Sequence, residues 1–551
     1  MIRWFAVLAL WVVSAASLLL VFWLSPWWLF LSVPLVAVAA VGVYDLLQHR
    51  HNILRNYPVL GHFRFLLESI RPEIQQYFIE RNTDGTPFDR NTRSTIYERA
   101  KDIKDVDPFG TQRDVNKIGS EFVRHSIAAK PAPAGTPRVR IGGPACTQPY
   151  DMALYNVSAM SFGALSANAV LALNGGAARG GFAHDTGEGG LSPYHLQPGG
   201  DLIWEIGTGY FGCRTSDGQF DPETFAQKVK APSVKCVSIK LSQGAKPGLG
   251  GVMPGPKVTA EIAQMRGVPV GKTVVSPPSH NRFHTPEGLC EFIGQLRDLS
   301  DGKPVGFKLC VGSRSEFLGI CKAINKTGIA PDFIIVDGSE GGTGAAPVEF
   351  EDHVGMPLTQ GLMTVHNALV GTGLRGQIRV GASGKVTNGV DIVKRIIQGA
   401  DFTLAARAMM MAVGCIQAQA CHTNKCPVGV TTQDPRRARA LDVDDKTTRV
   451  YNLQRNVVDN AKQLIASMGL DSFGDLNASM LVRTVGPNES KTYVELYEWL
   501  SPGQLLTDPP ESWREDWECS RSDAFVLSAM FEGEPDGYTP PITTTDGPLA
   551  V

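Results

Sequence analysis

The chain has 551 residues, of which 43% are hydrophobic and 19% charged, and its formal net charge is −2 at pH 7. It is long enough for one large domain with extensions, and it is not basic enough to indicate nucleic-acid binding. Most of its ten cysteines are scattered among apolar residues. That pattern is typical of reduced thiols and excludes a disulfide-dense secreted domain.

The N-terminus carries two apolar runs. Residues 4–24 contain no charge and are long enough to cross a bilayer as a helix, and a second run follows a Pro-Trp-Trp turn from Leu29 to Tyr44. Arg3 precedes the pair, and Arg50 and Arg55 follow it, which predicts a membrane hairpin with both ends in the cytoplasm. A signal peptide is the alternative, but the first run is too long and a second span follows. Because the second run is short, a re-entrant or interfacial segment is a further alternative.

The remaining sequence divides by composition. We predict a helical extension with a Pro-rich connector, which packs on the main domain, and a partly disordered tail with helices at Thr492–Leu500 and Asp523–Phe531. The predicted boundaries are a hairpin over 1–48, the extension over 49–140, the main domain over 141–470 and the tail over 471–551.

The main domain alternates strand-like and helix-like segments. Helical patterns such as 166–180, 286–299, 314–327 and 388–398 separate eight apolar, often β-branched segments. This count predicts an α/β fold, a parallel (β/α)8 TIM barrel, with a doubly wound open sheet as the alternative. The predicted strands are 154–160, 182–185, 202–207, 234–241, 305–310, 333–337, 378–382 and 402–406.

Two glycine-rich loops follow late strands of the predicted barrel. Residues 338–344 follow the sixth strand and residues 381–384 follow the seventh. Such loops present backbone N–H groups to a phosphate, and flavin mononucleotide is the usual occupant in barrels that do redox chemistry. Lys308, near the end of the fifth strand, could stabilise the reduced flavin.

A third loop carries several cations. Lys240, Gln243 and Lys246 lie at the end of the fourth strand, and they would suit a substrate with two carboxylates, with Arg266 as a partner. Glu188, in an earlier glycine-rich loop, could act as an acid or base or orient an amine. For each of these residues, a solvated loop charge is the alternative.

Three cysteines, Cys415, Cys421 and Cys426, are spaced C-x5-C-x4-C. Thiolates grouped so closely suit zinc or an iron–sulfur cluster. Tetrahedral zinc needs a fourth ligand, and His422 is badly placed because it directly follows Cys421. The set therefore fits a three-iron cluster better than zinc, while three free thiols packed as small hydrophobic groups remain the alternative.

With these residues assembled, the chain resembles the FMN-binding synthase domain of glutamate synthase from about Tyr150 to Gly469. Because the motifs occur in the same order, the resemblance is specific, and the membrane hairpin is similar to that of a stand-alone, membrane-anchored bacterial branch. The motifs are Ser158–Ser166, Thr186–Gly190, Gln243–Gly248, Ser276–Pro278, Gly341–Gly344 and Cys421–Gly429.

The resemblance implies a (β/α)8 barrel that carries FMN and a [3Fe-4S] cluster, the latter held by Cys415, Cys421 and Cys426. It also implies attachment to a bacterial inner membrane with a cytoplasmic catalytic domain. The residues implied to contact FMN are Ala159, Met160, Ser161, Lys308, Gly341, Gly342, Thr343, Gly344, Gly381, Ser383, Gly384, Ala406 and Arg407.

The implied reaction is reductive amination. Ammonia condenses with 2-oxoglutarate, reduced flavin delivers hydride to give glutamate, and electrons arrive through the cluster. No nucleotide-binding unit for NADPH is evident, so the donor would be a separate chain, a ferredoxin or an NADPH-dependent reductase. The residues implied at the substrate are Glu188, Lys240, Gln243, Lys246 and Arg266.

The sequence also departs from the large glutamate synthases. It shows neither an amidotransferase domain nor a C-terminal β-helical domain, and Leu249 stands where those enzymes usually carry glutamate. A separate amidotransferase, free ammonia or another amine is then expected, and an N-methylglutamate synthase-like amine transfer is one alternative. Another is a membrane-tethered electron-relay subunit. A hydroxy-acid oxidase barrel would not need the three cysteines.

Overall fold

The computed structural model describes residues 2–103 and 106–527. The chain forms two compact units, one up to Asn91 and the other from Thr92 onward. The predicted disorder of the last dozen residues, and residues 528–531 of the last predicted helix, lie outside the described residues. The rest of that predicted helix, residues 523–527, is not helical.

The first unit is helical. Among the described residues, two helices are long and apolar enough to cross a membrane. The second is longer than the predicted apolar run, because it continues past Tyr44 to Leu47. Its 19 residues extend about 28 Å at the helical rise, close to the thickness of a bilayer core. The helices are α1 (Ile2–Trp23), α2 (Leu29–Leu47), α3 (Asn52–Asn56) and α4 (Gly61–Ile74), and a π-helix (Gln75–Ile79) continues α4.

The second unit begins with segments that lead into a barrel. Helix α5 (Arg90–Lys101) contains the boundary between the units, and three short strands follow it. Two of the strands pair as an antiparallel hairpin. The strands are β1 (Glu121–Val123), β2 (Arg138–Ile141) and β3 (Tyr150–Ala153).

Eight parallel strands close into a barrel, so the predicted fold is confirmed and the open sheet is excluded. Each barrel strand lies at a predicted position, because most are short and largely apolar runs buried on both faces. The exception is the strand His184–Asp185, which is polar and follows the apolar residues Phe182 and Ala183. A separate two-stranded antiparallel sheet, β8 (Val252–Met253) with β9 (Val274–Val275), lies between the fourth and fifth barrel strands in the sequence. The barrel strands are β4 (Tyr155–Val157), β5 (His184–Asp185), β6 (Leu202–Ile206), β7 (Val234–Lys240), β10 (Val305–Leu309), β11 (Phe333–Asp337), β12 (Arg379–Ser383) and β13 (Phe402–Ala405).

Helices cover the outside of the barrel. Several begin with a side-chain cap, as Thr285 does for the helix that starts at Pro286, and end at a left-handed glycine such as Gly328. The helices are α6 (Ala167–Gly180), α7 (Pro193–Leu196), α8 (Pro222–Lys228), α9 (Ala260–Arg266), α10 (Pro286–Leu299), α11 (Arg314–Thr327), α12 (Val348–His353), α13 (Leu358–Gly371), α14 (Gly389–Ile397) and α15 (Arg407–Ala412).

The β2–β3 hairpin closes one end of the barrel. Its Ile141 and Met152 belong to the same buried cluster as Phe333 and Phe402, which are the first residues of their strands. Because these are the amino-terminal ends of the strands, the carboxyl-terminal end is the one left for chemistry.

The chain after the barrel returns to its outside. Residue Glu121 of β1 pairs with Arg483, so the segments before and after the barrel share a three-stranded sheet. The helix predicted over Thr492–Leu500 is confined to four residues. The elements are α16 (Pro435–Ala438), α17 (Val443–Ser467), β14 (Leu481–Gly486), β15 (Glu489–Thr492), α18 (Tyr493–Leu496), α19 (Gln504–Thr507) and α20 (Glu511–Cys519).

Candidate active site

Three predicted substrate residues meet at the carboxyl end of β7. The Lys240 ammonium lies 2.9 Å from Glu188 Oε1 and donates a hydrogen bond of 2.9 Å to Gln243 Oε1. Burial favours the neutral form of Glu188, but the charges of Lys240 and Arg266 outweigh it and lower the pKa of this carboxyl. Glu188 is therefore ionised at neutral pH and is held against a buried cation.

Glycines surround the Glu188 carboxylate. A Cβ at Gly251 would lie 2.1 Å from Glu188 Oε1, and one at Gly207 would lie 2.6 Å from Glu188 Cβ. Either methyl group would displace the carboxylate from Lys240, so these two positions need residues without a side chain. The predicted acid or base is thus fixed by its packing as well as by its ion pair.

Two further cations approach this carboxylate. Lys246 is almost fully buried and donates a 3.0 Å hydrogen bond to the Ala345 carbonyl, while burial and the nearby Lys240 lower its pKa. Arg266, on α9, donates to Ser161 Oγ at 3.3 Å, and burial lowers its pKa to about 10. Its buried Nε has no partner among the described residues. A site with this excess of cationic donors suits a dicarboxylate.

Two neighbouring residues were not predicted. His280 is buried and contacts both the Lys240 carbonyl and the Tyr210 hydroxyl, each at 3.0 Å. Burial lowers the pKa of His280 to about 4, so it is neutral and orients the end of β7. No motif marked it, because its role depends on a fold contact between distant segments.

Lys308 forms a second buried ion pair inside the barrel. Its ammonium pairs with Glu205 of β6, and both side chains are buried. Burial disfavours the lysine charge, but Glu205 and Asp185 outweigh it and raise the pKa of Lys308. Burial, and then Glu205, raise the pKa of Asp185 to about 8 against the opposing effect of Lys308. The sequence analysis missed both carboxylates, although Glu205 is a charge within an apolar strand, the same signal that marked Lys308.

The predicted flavin loops meet at the same end of the barrel. Ser158, directly after β4, lies 3.2 Å from Ser383 of β12, measured between hydroxyl oxygens. Residues Ala159, Met160 and Ser161 follow, and Gly187 packs so closely on them that a Cβ there would lie 2.8 Å from the Ser161 nitrogen. The loops after the first, second and seventh barrel strands therefore form one surface.

The loop after β11 offers free donors. The backbone N–H groups of Gly342, Thr343 and Gly344 make no hydrogen bond within the described part of the chain. A Cβ at Gly342 would lie 2.9 Å from the Arg407 side chain, which in turn donates to the Glu340 carbonyl at 2.6 Å. Open N–H groups beside a guanidinium fit an anionic group such as the phosphate of FMN. The prediction that residues 381–384 form a loop is wrong for Gly381, which lies in the middle of β12, where a Cβ would meet the core residue Phe402 at 2.7 Å. Gly384 directly follows β12, and Ala406 directly precedes α15.

The two loop systems touch through their backbones. A Cβ at Gly244, in the lysine loop, would lie 1.8 Å from the Gly338 carbonyl oxygen, and the Gly244 N–H donates to Asp337 at 2.8 Å. The candidate substrate loop and the candidate phosphate loop are therefore packed without any intervening side chain.

The three predicted cluster cysteines line one small pocket. Burial raises the pKa of Cys415 to about 12, whereas the polar groups of the neighbouring residues 428–431 outweigh burial and lower the pKa of Cys426. The Cys415 carbonyl accepts a 2.8 Å hydrogen bond from Tyr97. No three His, Cys, Asp or Glu side chains in residues 2–103 and 106–527 are grouped to hold a single metal ion. Three free thiols at one pocket remain a donor set that fits a larger iron–sulfur group.

Comparisons with known proteins agree with this architecture. The profile of a family described as the conserved region in glutamate synthase matches residues 150–471, more than half of the chain. The closed barrel with its charged carboxyl end, together with this match, defines an enzyme of the FMN-dependent oxidoreductase class. The chain belongs to the glutamate synthase family.

Individual relatives support the assignment. The glutamate synthase large subunit-like protein YerD of Bacillus subtilis (strain 168) is 38% identical over 483 residues, which is 80% of this chain and 91% of that protein. The archaeal glutamate synthase (NADPH) of Methanocaldococcus jannaschii is 35% identical over 61% of this chain. The match spans only 63% of that second protein.

Solved structures with similar folds include a mutant flavocytochrome b2 with pyruvate bound, at 15% identity and a TM-score of 0.40 over 85% of this chain and 97% of that one. A mandelate oxidase with (S)-2-phenylpropionate gives 14% identity and a TM-score of 0.39 over 78% and 98%. Because these TM-scores are low, the family assignment rests on the closed barrel and on the match to the family profile, and not on these structures.

Proposed function

We propose that this chain is a glutamate synthase-like oxidoreductase that reductively aminates 2-oxoglutarate to glutamate. The observation that carries the proposal is the buried cluster of Lys240, Lys246 and Arg266 around the ionised Glu188. The two carboxylates of 2-oxoglutarate match these cations, and Gln243 adds a neutral donor. The reaction joins ammonia to the keto carbon, adds two electrons and two protons, and releases one water.

Each residue of the site has a proposed role. The cations would bind the substrate carboxylates, and Glu188, held by Lys240, would orient the amine and take up its proton. FMN would be held by the segments 158–161, 341–344 and 381–384, and by Arg407, and when bound it supplies the hydride. Lys308, already ionised beside Glu205, would add positive charge next to the flavin.

We further propose that Cys415, Cys421 and Cys426 hold a [3Fe-4S] cluster, which would supply one-electron transfer. Their shared pocket and the lowered pKa of Cys426 support this, because a thiolate is the metal-binding form. The electron donor would be a separate ferredoxin or NADPH-dependent reductase. The names of the archaeal-type relatives include NADPH.

Besides the electron donor, the amine substrate has to be assigned, and Leu249 favours a specific alternative to ammonia. This leucine is 36% exposed and lies in the loop that contains Lys246. An apolar side chain gives no charge to hold ammonium, but it can contact the methyl group of methylamine. The alternative function is therefore an N-methylglutamate synthase-like amine transfer on the same site, with an amidotransferase chain needed only for the ammonia reaction.

The N-terminal helices would anchor the enzyme. We propose that α1 and α2 form a hairpin in a bacterial inner membrane, with the catalytic unit in the cytoplasm. The two apolar helices and the arginines on both flanks support this topology.

A direct assay separates these functions. FMN and iron are quantified in the purified protein, which is then reduced and given 2-oxoglutarate with ammonia, or methylamine with glutamate. Flavin reoxidation with glutamate formed supports the main proposal, and N-methylglutamate formed supports the alternative. Bound cofactors without either product would favour the electron-relay subunit, and a folded protein that binds no FMN would contradict all three.

A further inference from the structure

Helix α4 presents an apolar face that nothing in the described chain covers. Phe63, Leu66, Leu67 and Ile70 are 61%, 55%, 59% and 41% exposed. They are spaced at i, i+3, i+4 and i+7, which places them on one side of a helix, and Ile74 continues the same row. This is a continuous hydrophobic surface and not a set of scattered residues.

The other side of α4 is mostly polar and equally open, although it includes Phe65, which is 39% exposed and packs its ring edge-on against His51. Arg64 and Glu68 pair at 3.3 Å across one turn, and every residue from His62 to Glu73 is exposed. A helix of 14 residues is marginal in water when no face of it is packed. Its helical structure therefore requires a partner that covers the apolar row and leaves the polar row in water.

The start of α4 is tied to the end of the second apolar helix. Asp45, fully buried near the end of α2, accepts hydrogen bonds from the Val59 N–H at 2.8 Å and from His62 Nε2 at 2.9 Å. Helix α2 ends two residues later, at Leu47. The first turn of α4 is thus fixed close to the end of the candidate membrane span.

The net charge of the segment around α4 indicates which lipids it would bind. Between Gln48 and the end of α4 at Ile74 the sequence has four arginines, Arg50, Arg55, Arg64 and Arg71, and two acidic residues, Glu68 and Glu73, so the segment carries a formal net charge of +2. Basic segments next to a membrane span are attracted to anionic lipids. The paired aromatic residues Trp27 and Trp28 lie in the turn at the opposite end of the hairpin.

We propose that α4 is an interfacial helix, whose apolar row inserts among the headgroups of an anionic bilayer at the cytoplasmic end of the hairpin. This inference rests on the proposed membrane hairpin and adds a second, lateral contact with the lipid. It gives the segment between the spans and the barrel a fixed place on the membrane surface.

Site-specific photocrosslinking tests the proposal on the full chain in vesicles of phosphatidylethanolamine and phosphatidylglycerol. A photoreactive phenylalanine replaces Leu67 in one variant, Glu68 in a matched control and Leu19 of α1 in a third. All three side chains are exposed, so no core contact is lost. We expect lipid adducts at Leu67 and Leu19, with a yield at Leu67 about tenfold above that at Glu68 because the two residues face opposite media.

Equal yields of lipid adducts at Leu67 and Glu68 would overturn the inference, and so would adducts at Leu67 that form with protein and not with lipid. In either case, lipid adducts at Leu19 would still support the membrane hairpin. Absence of lipid adducts at Leu19 would instead overturn the hairpin and the inference with it. In phosphatidylcholine vesicles we expect the Leu67 yield to fall, and an unchanged yield would refute the preference for anionic lipid.

Discussion

Lys246 brings a buried positive charge into the site, where its described hydrogen bond goes to a carbonyl and not to a carboxylate. A substrate carboxylate would be its proper counterion. We expect Lys246→Ala to raise the KM for 2-oxoglutarate at least about tenfold, since a charge-assisted hydrogen bond contributes roughly 1.5–3 kcal/mol. Initial rates over a range of substrate concentrations measure this, with the exposed Lys272→Ala as control. An unchanged KM would mean that the lysine loop does not bind the substrate.

Asp185 makes stability depend on pH. Its pKa is raised to about 8 by burial and then Glu205, against about 3.9 in an unfolded chain, so its ionisation penalises the folded state as pH rises from 4 to 8. Removing the charge with Asp185→Asn should therefore raise the Tm relative to wild type, by a margin that grows up to pH 8 and is constant above it. Thermal melts between pH 5 and 9 measure the margin. A margin independent of pH would contradict this account.

At the scale of elements, the loop that contains Gly251 packs against Glu188, the proposed catalytic carboxylate. Gly251→Ala would place a methyl group 2.1 Å from the Glu188 oxygen and should break the contact with Lys240. We expect turnover to fall by about a hundredfold or more, as misplacement by about 1 Å can do. The matched control is Gly312→Ala, whose Cβ meets nothing within 4 Å. Equal activity of the two variants would show that Glu188 is not held for catalysis.

The cysteine loop after α15 is a second element with a defined test. Cys421→Ser should reduce bound iron to background, because three thiolates are the whole proposed ligand set from this chain. Iron quantitation and the electron paramagnetic resonance spectrum of the oxidised protein measure the loss. Cys519→Ser, which alters a half-buried thiol on α20, is the control and should keep its iron. Full iron content in the Cys421 variant would exclude the cluster assignment.

Strands and helices could be predicted where the sequence pattern that indicates them lies within the segment itself. All eight barrel strands were found, because a strand buried on both faces is a short apolar run bounded by turn residues. The Glu205–Lys308 pair was not found, because it depends on which strands are neighbours and on their register. Likewise, the sequence shows Gly251 as one glycine among many, and only its distance to Glu188 reveals why a side chain is excluded.

For the whole molecule, we propose that the first unit decides where the enzyme works. We expect the full chain to stay in the membrane pellet after alkaline extraction. Val13→Arg should release a large fraction, since a charge at the middle of a spanning helix costs about 2.5–3.5 kcal/mol for insertion, while Val13→Leu should behave as wild type. Immunoblots of pellet and supernatant give the fractions. If the Arg and Leu variants partition alike, α1 does not span the membrane.

The contact between Gly244 and Gly338 has a consequence for how this protein can diversify. With only 1.8 Å available for a Cβ, neither loop can change its path unless the other changes with it. The proposed substrate loop and the proposed flavin loop are therefore not independent of each other in this barrel. Laboratory evolution toward a new keto acid would find the lysine loop closed to single insertions, and successful variants would carry paired changes in both loops.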